Sequence, residues 1–151
     1  MSENITPYMQ RLNKVIAISN HKGGVGKTTS VVNLGAGLNQ LGKKVLLIDL
    51  DAQANLSHSL GFIEPEFNIY GAIRGLYTLD KCINSVNEVT GLDVLPSTLD
   101  LSGAEIELSS ETGREYILKD LIEPIRAKYD FILIDYIMFA IFNIKCKSKA
   151  E

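Results

Sequence analysis

Apolar positions along this chain follow two rhythms. Residues 14–19 (KVIAIS), the beginning of 45–51 (VLLIDLD) and 129–135 (YDFILID) are almost continuously apolar, the pattern of strands buried on both faces of a parallel sheet. Between the first two, Val31, Leu34, Leu38 and Leu41 recur at helical spacing, and Gly42 follows as a stop. Small Gly35, Ala36 and Gly37 would let this helix lie close to the sheet. Strand, helix and strand in this length form a right-handed crossover unit. Residues 53–82, broken by Gly61, Pro65 and Gly75, read as loop and short helices. A short strand follows at residues 92–95, ended by Pro96, and residues 97–108 give a polar start followed by Leu99, Leu101, Ile106 and Leu108. Residues 114–128 predict a helix with Ile117, Leu118, Leu121, Ile122 and Ile125 on one face, kinked at Pro124. The succession predicts an α/β fold with a doubly wound, mostly parallel sheet.

Composition narrows the setting more than the function. The 151 residues suit one domain with a sizeable core, 46% apolar and 22% charged. Fifteen basic against eighteen acidic side chains give a net charge of −3, so no global basicity advertises nucleic acid, although a local basic patch stays open. Cys82 and Cys146 are far apart and give neither a disulfide framework nor metal-ligand spacing, which points to a reducing cytosol. Residues 1–13 lack the apolar core of a signal peptide and read as a flexible arm. No run reaches the roughly 18 apolar residues of a membrane-spanning helix.

The candidate chemistry lies at residues 19–30, SNHKGGVGKTTS, where the first strand turns into the helix. Gly23, Gly24 and Gly26 can adopt backbone angles closed to other residues and let amide groups approach an anion, while the helix contributes its positive end. Lys27 adds a mobile charge and Thr28 a hydroxyl for a magnesium ion. Asp49 and Asp51 arrive at the C-terminal end of the second strand, the sheet edge that carries the loop and where open α/β sheets bind ligands. Asp135, at the end of another strand, fits the acidic residue that completes a metal shell.

The loop departs from the standard phosphate loop at two places. His21 stands where the pattern asks for glycine, and a second lysine, Lys22, directly precedes the glycine pair. KGGVGKTT is the deviant Walker A motif, and the chain resembles the ParA/MinD family of P-loop ATPases, especially chromosome- and plasmid-partition members. That resemblance implies a P-loop NTPase fold with ATP and Mg2+ as ligands. It places the nucleotide on Lys22, Gly23, Gly24, Val25, Gly26, Lys27, Thr28 and Thr29, and the metal on Thr28 and Asp135. It also implies that Lys22 reaches a partner's nucleotide across a sandwich dimer, that Asp51 orients the attacking water, and that Asp49 supports the metal. Ala52 stands where the family frequently has proline, a mild departure. His21 and His58 are read as loop filler and surface residue. Implied partners are a second copy of the chain, a centromere-binding ParB-like protein and, through the half of the family fold not matched here, non-specific DNA; a membrane is not expected.

The match runs from Val15 to about Asp135, roughly the first half of a family member, so the family fold is expected to be incomplete here. The domain reading is therefore an arm at 1–13, a partial ATPase domain at 14–135 and a non-family tail at 136–151. After Asp135 the family continues with a small residue and two prolines in a switch loop, whereas this chain reads YIMFAIFNIKCKSKAE. The change reads as a frameshift or truncation, with a basic membrane anchor as the competing reading. The alternatives to a working ATPase are thus a non-catalytic remnant that binds nucleotide weakly and a MinD-like membrane-cycling protein. A relative of the nitrogenase iron protein would need cluster cysteines that Cys82 and Cys146 do not supply.

Overall fold

A computed structural model describes residues 13–20, 24, 26–87 and 89–137. The expected arm short of Asn13 and the tail beyond Ile137 lie outside the described residues. So do His21, Lys22, Gly23 and Val25 of the loop.

The elements follow in the order β1 (Lys14–Ser19), α1 (Lys27–Gln40), β2 (Val45–Leu50), α2 (Asn55–Ser59), α3 (Ile69–Ile73), α4 (Leu79–Cys82), β3 (Asn84–Ser85), β4 (Leu92–Leu95), α5 (Leu101–Leu108), α6 (Ile117–Ile122) and β5 (Phe131–Tyr136). The strands form one sheet in the order β1-β5-β2-β4-β3. β1, β5, β2 and β4 run parallel, and β3 pairs antiparallel with β4. The doubly wound, mostly parallel sheet expected from the apolar runs is therefore present.

Every residue of β2 is buried, because β2 has a strand on each side and helices over each face. Leu46, Ile48 and Leu50 join Ile132, Ile134 and Tyr136 beneath α3, α5 and α6. Val45 and Leu47 join Val94 and Leu133 on the opposite face, against Val31 of α1 and Leu56 of α2. The side-chain alternation of a strand divides one apolar run between two cores.

β1 departs from the expectation of a strand buried on both faces. Lys14 and Ser19 are exposed and the four apolar residues between them are half-buried. Among the described residues β1 pairs with β5 alone, so one backbone edge has no strand beside it and the flanking side chains lack cover. β5 also runs one residue past the expected domain boundary: Tyr136 is buried and in register with Ser19 and Leu50.

The single helix expected over 114–128 is broken into three pieces. An α-helical segment, α6, lies between 3-10 turns at Arg114–Tyr116 and Glu123–Lys128. Pro124 lacks an N–H and its ring collides with the preceding turn, so the α ladder ends at Ile122 and continues more tightly wound. Its apolar face survives through Leu118, Ile122 and Ile125. The two-residue β3 has no alternation to read and was not expected.

On α1 the buried residues are Val31 and Gly35, whereas Leu34, and Leu41 just past the helix end, are exposed. A Cβ on Gly35 would lie 2.6 Å from Cδ2 of buried Leu47, so this glycine sets the distance between helix and sheet. Gly37 faces open space and serves no such contact. Chemical denaturation should therefore separate them. Gly37→Ala is expected to stabilise the fold by up to about 1 kcal/mol through helix propensity, whereas Gly35→Val should destabilise it by about 1–3 kcal/mol through overpacking. Equal effects at both positions would contradict the close packing.

Candidate nucleotide-binding site

Gly24 and Gly26 have φ of 74° and 80°, in the left-handed region that side-chain-bearing residues avoid. Gly26 immediately precedes α1, and its carbonyl accepts from the Ser30 amide at 2.9 Å and the Ser30 hydroxyl at 2.7 Å. The turn thus delivers Lys27 and Thr28 as the first two helical residues. Amide groups there have no intrahelical acceptor and carry the positive end of the helix dipole.

Lys27 and Thr28 both reach Asp135 at the end of β5. Thr28 Oγ1 donates to Asp135 Oδ2 at 2.6 Å, and Lys27 Nζ lies 2.9 Å from Oδ1. Lys27 Nζ is also 3.9 Å from Asp51 Oδ2, just past the end of β2. Asp51 and Asp135 are 5% and 1% exposed, so this lysine offsets two charges largely removed from water. The approach of Nζ to Asp135 Oδ1 is a charge contact without an aligned hydrogen bond, and both atoms are buried. Their unused bonding capacity fits a phosphate at the ammonium and a cation at the carboxylate. Among the described residues no group of three or more His, Cys, Asp or Glu is arranged to hold a metal. Thr28 with Asp135 instead matches the sparse protein ligation of magnesium, which keeps waters and takes oxygens from substrate phosphates.

Asp49 sits beside Asp135 in the β2–β5 register but turns to other partners. Its Oδ2 accepts from the Ser57 amide at 2.9 Å and the Ser57 hydroxyl at 2.6 Å, and its Oδ1 from the Asp51 amide at 3.3 Å. The structure therefore brings Lys27, Thr28, Asp51 and Asp135 together, with Asp49 behind them and joined to Ser57 rather than Thr28. Thr29 is exposed on α1, His58 is exposed as expected, and the Lys22, Gly23 and Val25 assignments fall outside the described residues. Sequence reading missed Ser57 and Ser97, whose amide donates to Ser57 Oγ at 2.8 Å. No spacing rule links residues 40 positions apart; only the sheet edge joins them.

A family model described as an AAA domain matches residues 13–138. Over 81–82% of this chain, the ParA chromosome-partitioning proteins of Myxococcus xanthus and Caulobacter vibrioides and the sporulation initiation inhibitor Soj of Bacillus subtilis are 42%, 45% and 42% identical. This chain belongs to the ParA/MinD family of P-loop ATPases. It spans 44%, 47% and 49% of the Myxococcus, Caulobacter and Bacillus proteins respectively, about half the length of the relatives it matches. Among solved structures, cobyrinic acid a,c-diamide synthase from Mycobacterium smegmatis with ADP and magnesium superposes with a TM-score of 0.77 at 36% identity, over 82% of this chain and 51% of that one. A plasmid partition protein from Borrelia burgdorferi bound to AMPPNP gives 0.69 at 34% identity, over 82% and 52%. Among the described residues no helix is long and apolar enough to cross a membrane.

Burial raises the Asp49 carboxyl from 3.8 to about 6, helped by the charges of Asp135 and Asp51 and opposed by the Ser57 hydrogen bonds. Because the folded state holds this proton more tightly, the contribution of Asp49 to stability is greatest below pH 4. It falls as pH rises towards about 6 and stays low above, a loss on the order of 3 kcal/mol at 1.36 kcal/mol per pKa unit. In carboxyl-detected NMR of the nucleotide-free chain, one aspartate should titrate near pH 6 and vanish in Asp49→Asn. Titration of every aspartate below pH 5 would contradict the burial argument.

Proposed function

We propose that this chain binds ATP with magnesium and belongs to a partition-type ATPase that hydrolyses ATP in a sandwich dimer to position plasmid or chromosomal DNA. The observation that carries the reading is the convergence of Lys27 and Thr28 on Asp135, with Asp51 3.9 Å from the same Lys27 ammonium, at the C-terminal edge of the sheet. The M. smegmatis synthase with ADP and magnesium and the Borrelia partition protein with AMPPNP support the choice of ligand.

In this reading the amides of residues 23–29 and the Lys27 ammonium bind the β- and γ-phosphates. Thr28 and Asp135 hold Mg2+, which when bound supplies charge neutralisation at the phosphate oxygens. Thr28 Oγ1 and the Asp135 carboxylate, now bonded to each other, would be the protein oxygens that hold the ion, and the Lys27 ammonium, now beside Asp135, would face the phosphate oxygens. Asp51 orients the attacking water, and its carboxylate is held near the site by Lys27 at 3.9 Å. Lys22 completes a second copy's site as a positive charge acting in trans, a role supported by the family motif. A ParB-like partner, DNA as cargo and a cytoplasmic setting accompany the reading.

The alternative is nucleotide binding without turnover, prompted by the chain's spanning about half the length of its relatives. Calorimetry with ATP and Mg2+ should show binding that Lys27→Ala weakens at least about tenfold, the scale of one buried charge-assisted contact. Hydrolysis, where present, should fall about a hundredfold or more in Asp51→Ala while binding persists. Absence of any ATP or ADP binding would overturn the proposal, and binding without measurable turnover would select the alternative.

A further inference from the structure

Asp49 makes more of its surroundings than a charge near the metal would need. Its two oxygens grip both ends of the turn that carries Asp51: Oδ1 takes the Asp51 amide, and Oδ2 takes the amide and hydroxyl of Ser57 at the start of α2. Asp49 and Ser57 are fully buried. Within the turn, Asp51 accepts from the Gln53 amide through Oδ1 at 2.9 Å and from the Ala54 amide through its carbonyl at 2.9 Å. Ala54, a buried non-glycine residue, is held at φ 52°. Such a conformation persists where surrounding bonds over-determine it.

The grip extends to a second strand. Ser57 Oγ donates to Asp49 and accepts from the Ser97 amide at 2.8 Å, using both faces of its hydroxyl. Ser97 is fully buried and follows Pro96, whose carbonyl accepts from the Ile69 amide at the start of α3 at 2.8 Å. The ends of β2 and β4 are thus joined through one serine, with the Asp51 turn enclosed between them. Burial makes the ionised Asp49 carboxylate costly, as its raised pKa shows, so stability alone is a weak reason for this arrangement.

We propose that Asp49 and Ser57 form a clasp, closed by the Ser97 amide, that fixes the position of the Asp51 carboxylate; Asp49 is then a positioning residue rather than a direct metal ligand. The assignment of Asp51 to water orientation rests on the function proposed above, but the clasp itself does not. Ser57→Ala removes the hydroxyl and leaves the Ser97 amide without its acceptor. Asp49→Asn replaces one carboxylate oxygen with a group that cannot accept, so one of the two grips on the turn is lost.

Amide hydrogen exchange on the full nucleotide-free chain tests the clasp. In both variants the amides of Asp51, Gln53, Ala54 and Ser97 should exchange at least about tenfold faster, as expected for loss of a buried hydrogen bond to a charged group. Amides in β5 and α6 should be unchanged, and Ser57→Thr, which keeps the hydroxyl, should restore slow exchange. With ATP, kcat should drop at least about tenfold while nucleotide Kd stays within about twofold. Wild-type exchange at Asp51 and Gln53 in both variants would overturn the clasp. So would a uniform rise across the chain, or an equal loss of affinity and turnover. If the unaltered chain neither binds nor hydrolyses ATP, the functional proposal fails while exchange still decides the clasp.

Discussion

Three aspartates stand almost out of water at one edge of this sheet, and their burial is the constraint the site answers to. Asp49, Asp51 and Asp135 are 0%, 5% and 1% exposed. An ionised carboxylate at such depth costs several kcal/mol unless it is paired or hydrogen-bonded. Lys27 serves two of them, at 2.9 Å and 3.9 Å, and Thr28 adds a hydrogen bond to Asp135. Asp49 takes three donors from the backbone and side chain and has its pKa raised to about 6. Among the described residues one ammonium faces three acids, which leaves room for a further cation and agrees with a site suited to magnesium and phosphate.

The fold creates this concentration of charge by simple means. Parallel pairing of β2 with β5 puts Asp49 level with Asp135, and the loop after β1 returns α1 over the same edge. Gly35 lets α1 approach until Leu47 lies only 2.6 Å from where a Cβ would be, and the same helix begins with Lys27 and Thr28. The apolar runs of β2 and β5 are buried on both faces, so Asp49 and Asp135 stand on strands with core packed against each side, and Asp51 directly follows one of them.

Membership of the ParA/MinD family accounts for the loop, the strand order and the acidic strand ends together. The chain spans about half of its matched relatives, and β1 is an edge of the described sheet with none of its residues fully buried. A strand with apolar side chains on both faces but one pairing partner has backbone groups and apolar surface available to a further strand. The side-chain contacts described at the site join the start of α1 to the ends of β2 and β5.

By itself the sequence determined the four parallel strands, the crossover unit, the phosphate loop and the family, because each is a local signal. Continuous apolar runs mark flanked strands, Gly24 and Gly26 supply left-handed turns, and KGGVGKTT carries its own spacing. It also marked Asp49, Asp51 and Asp135 by their places at strand ends. Tertiary structure decided what those aspartates touch. Ser57 and Ser97 meet across 40 residues, and Lys27 meets Asp135 across 108, through sheet order that no local pattern encodes. The same order decided that β1, as apolar as its neighbours, lies at an edge of the described sheet, and that Leu34 and Leu41 face outward while Gly35 faces in. Periodicity reports that a face is apolar; the packing of other elements determines whether anything covers it.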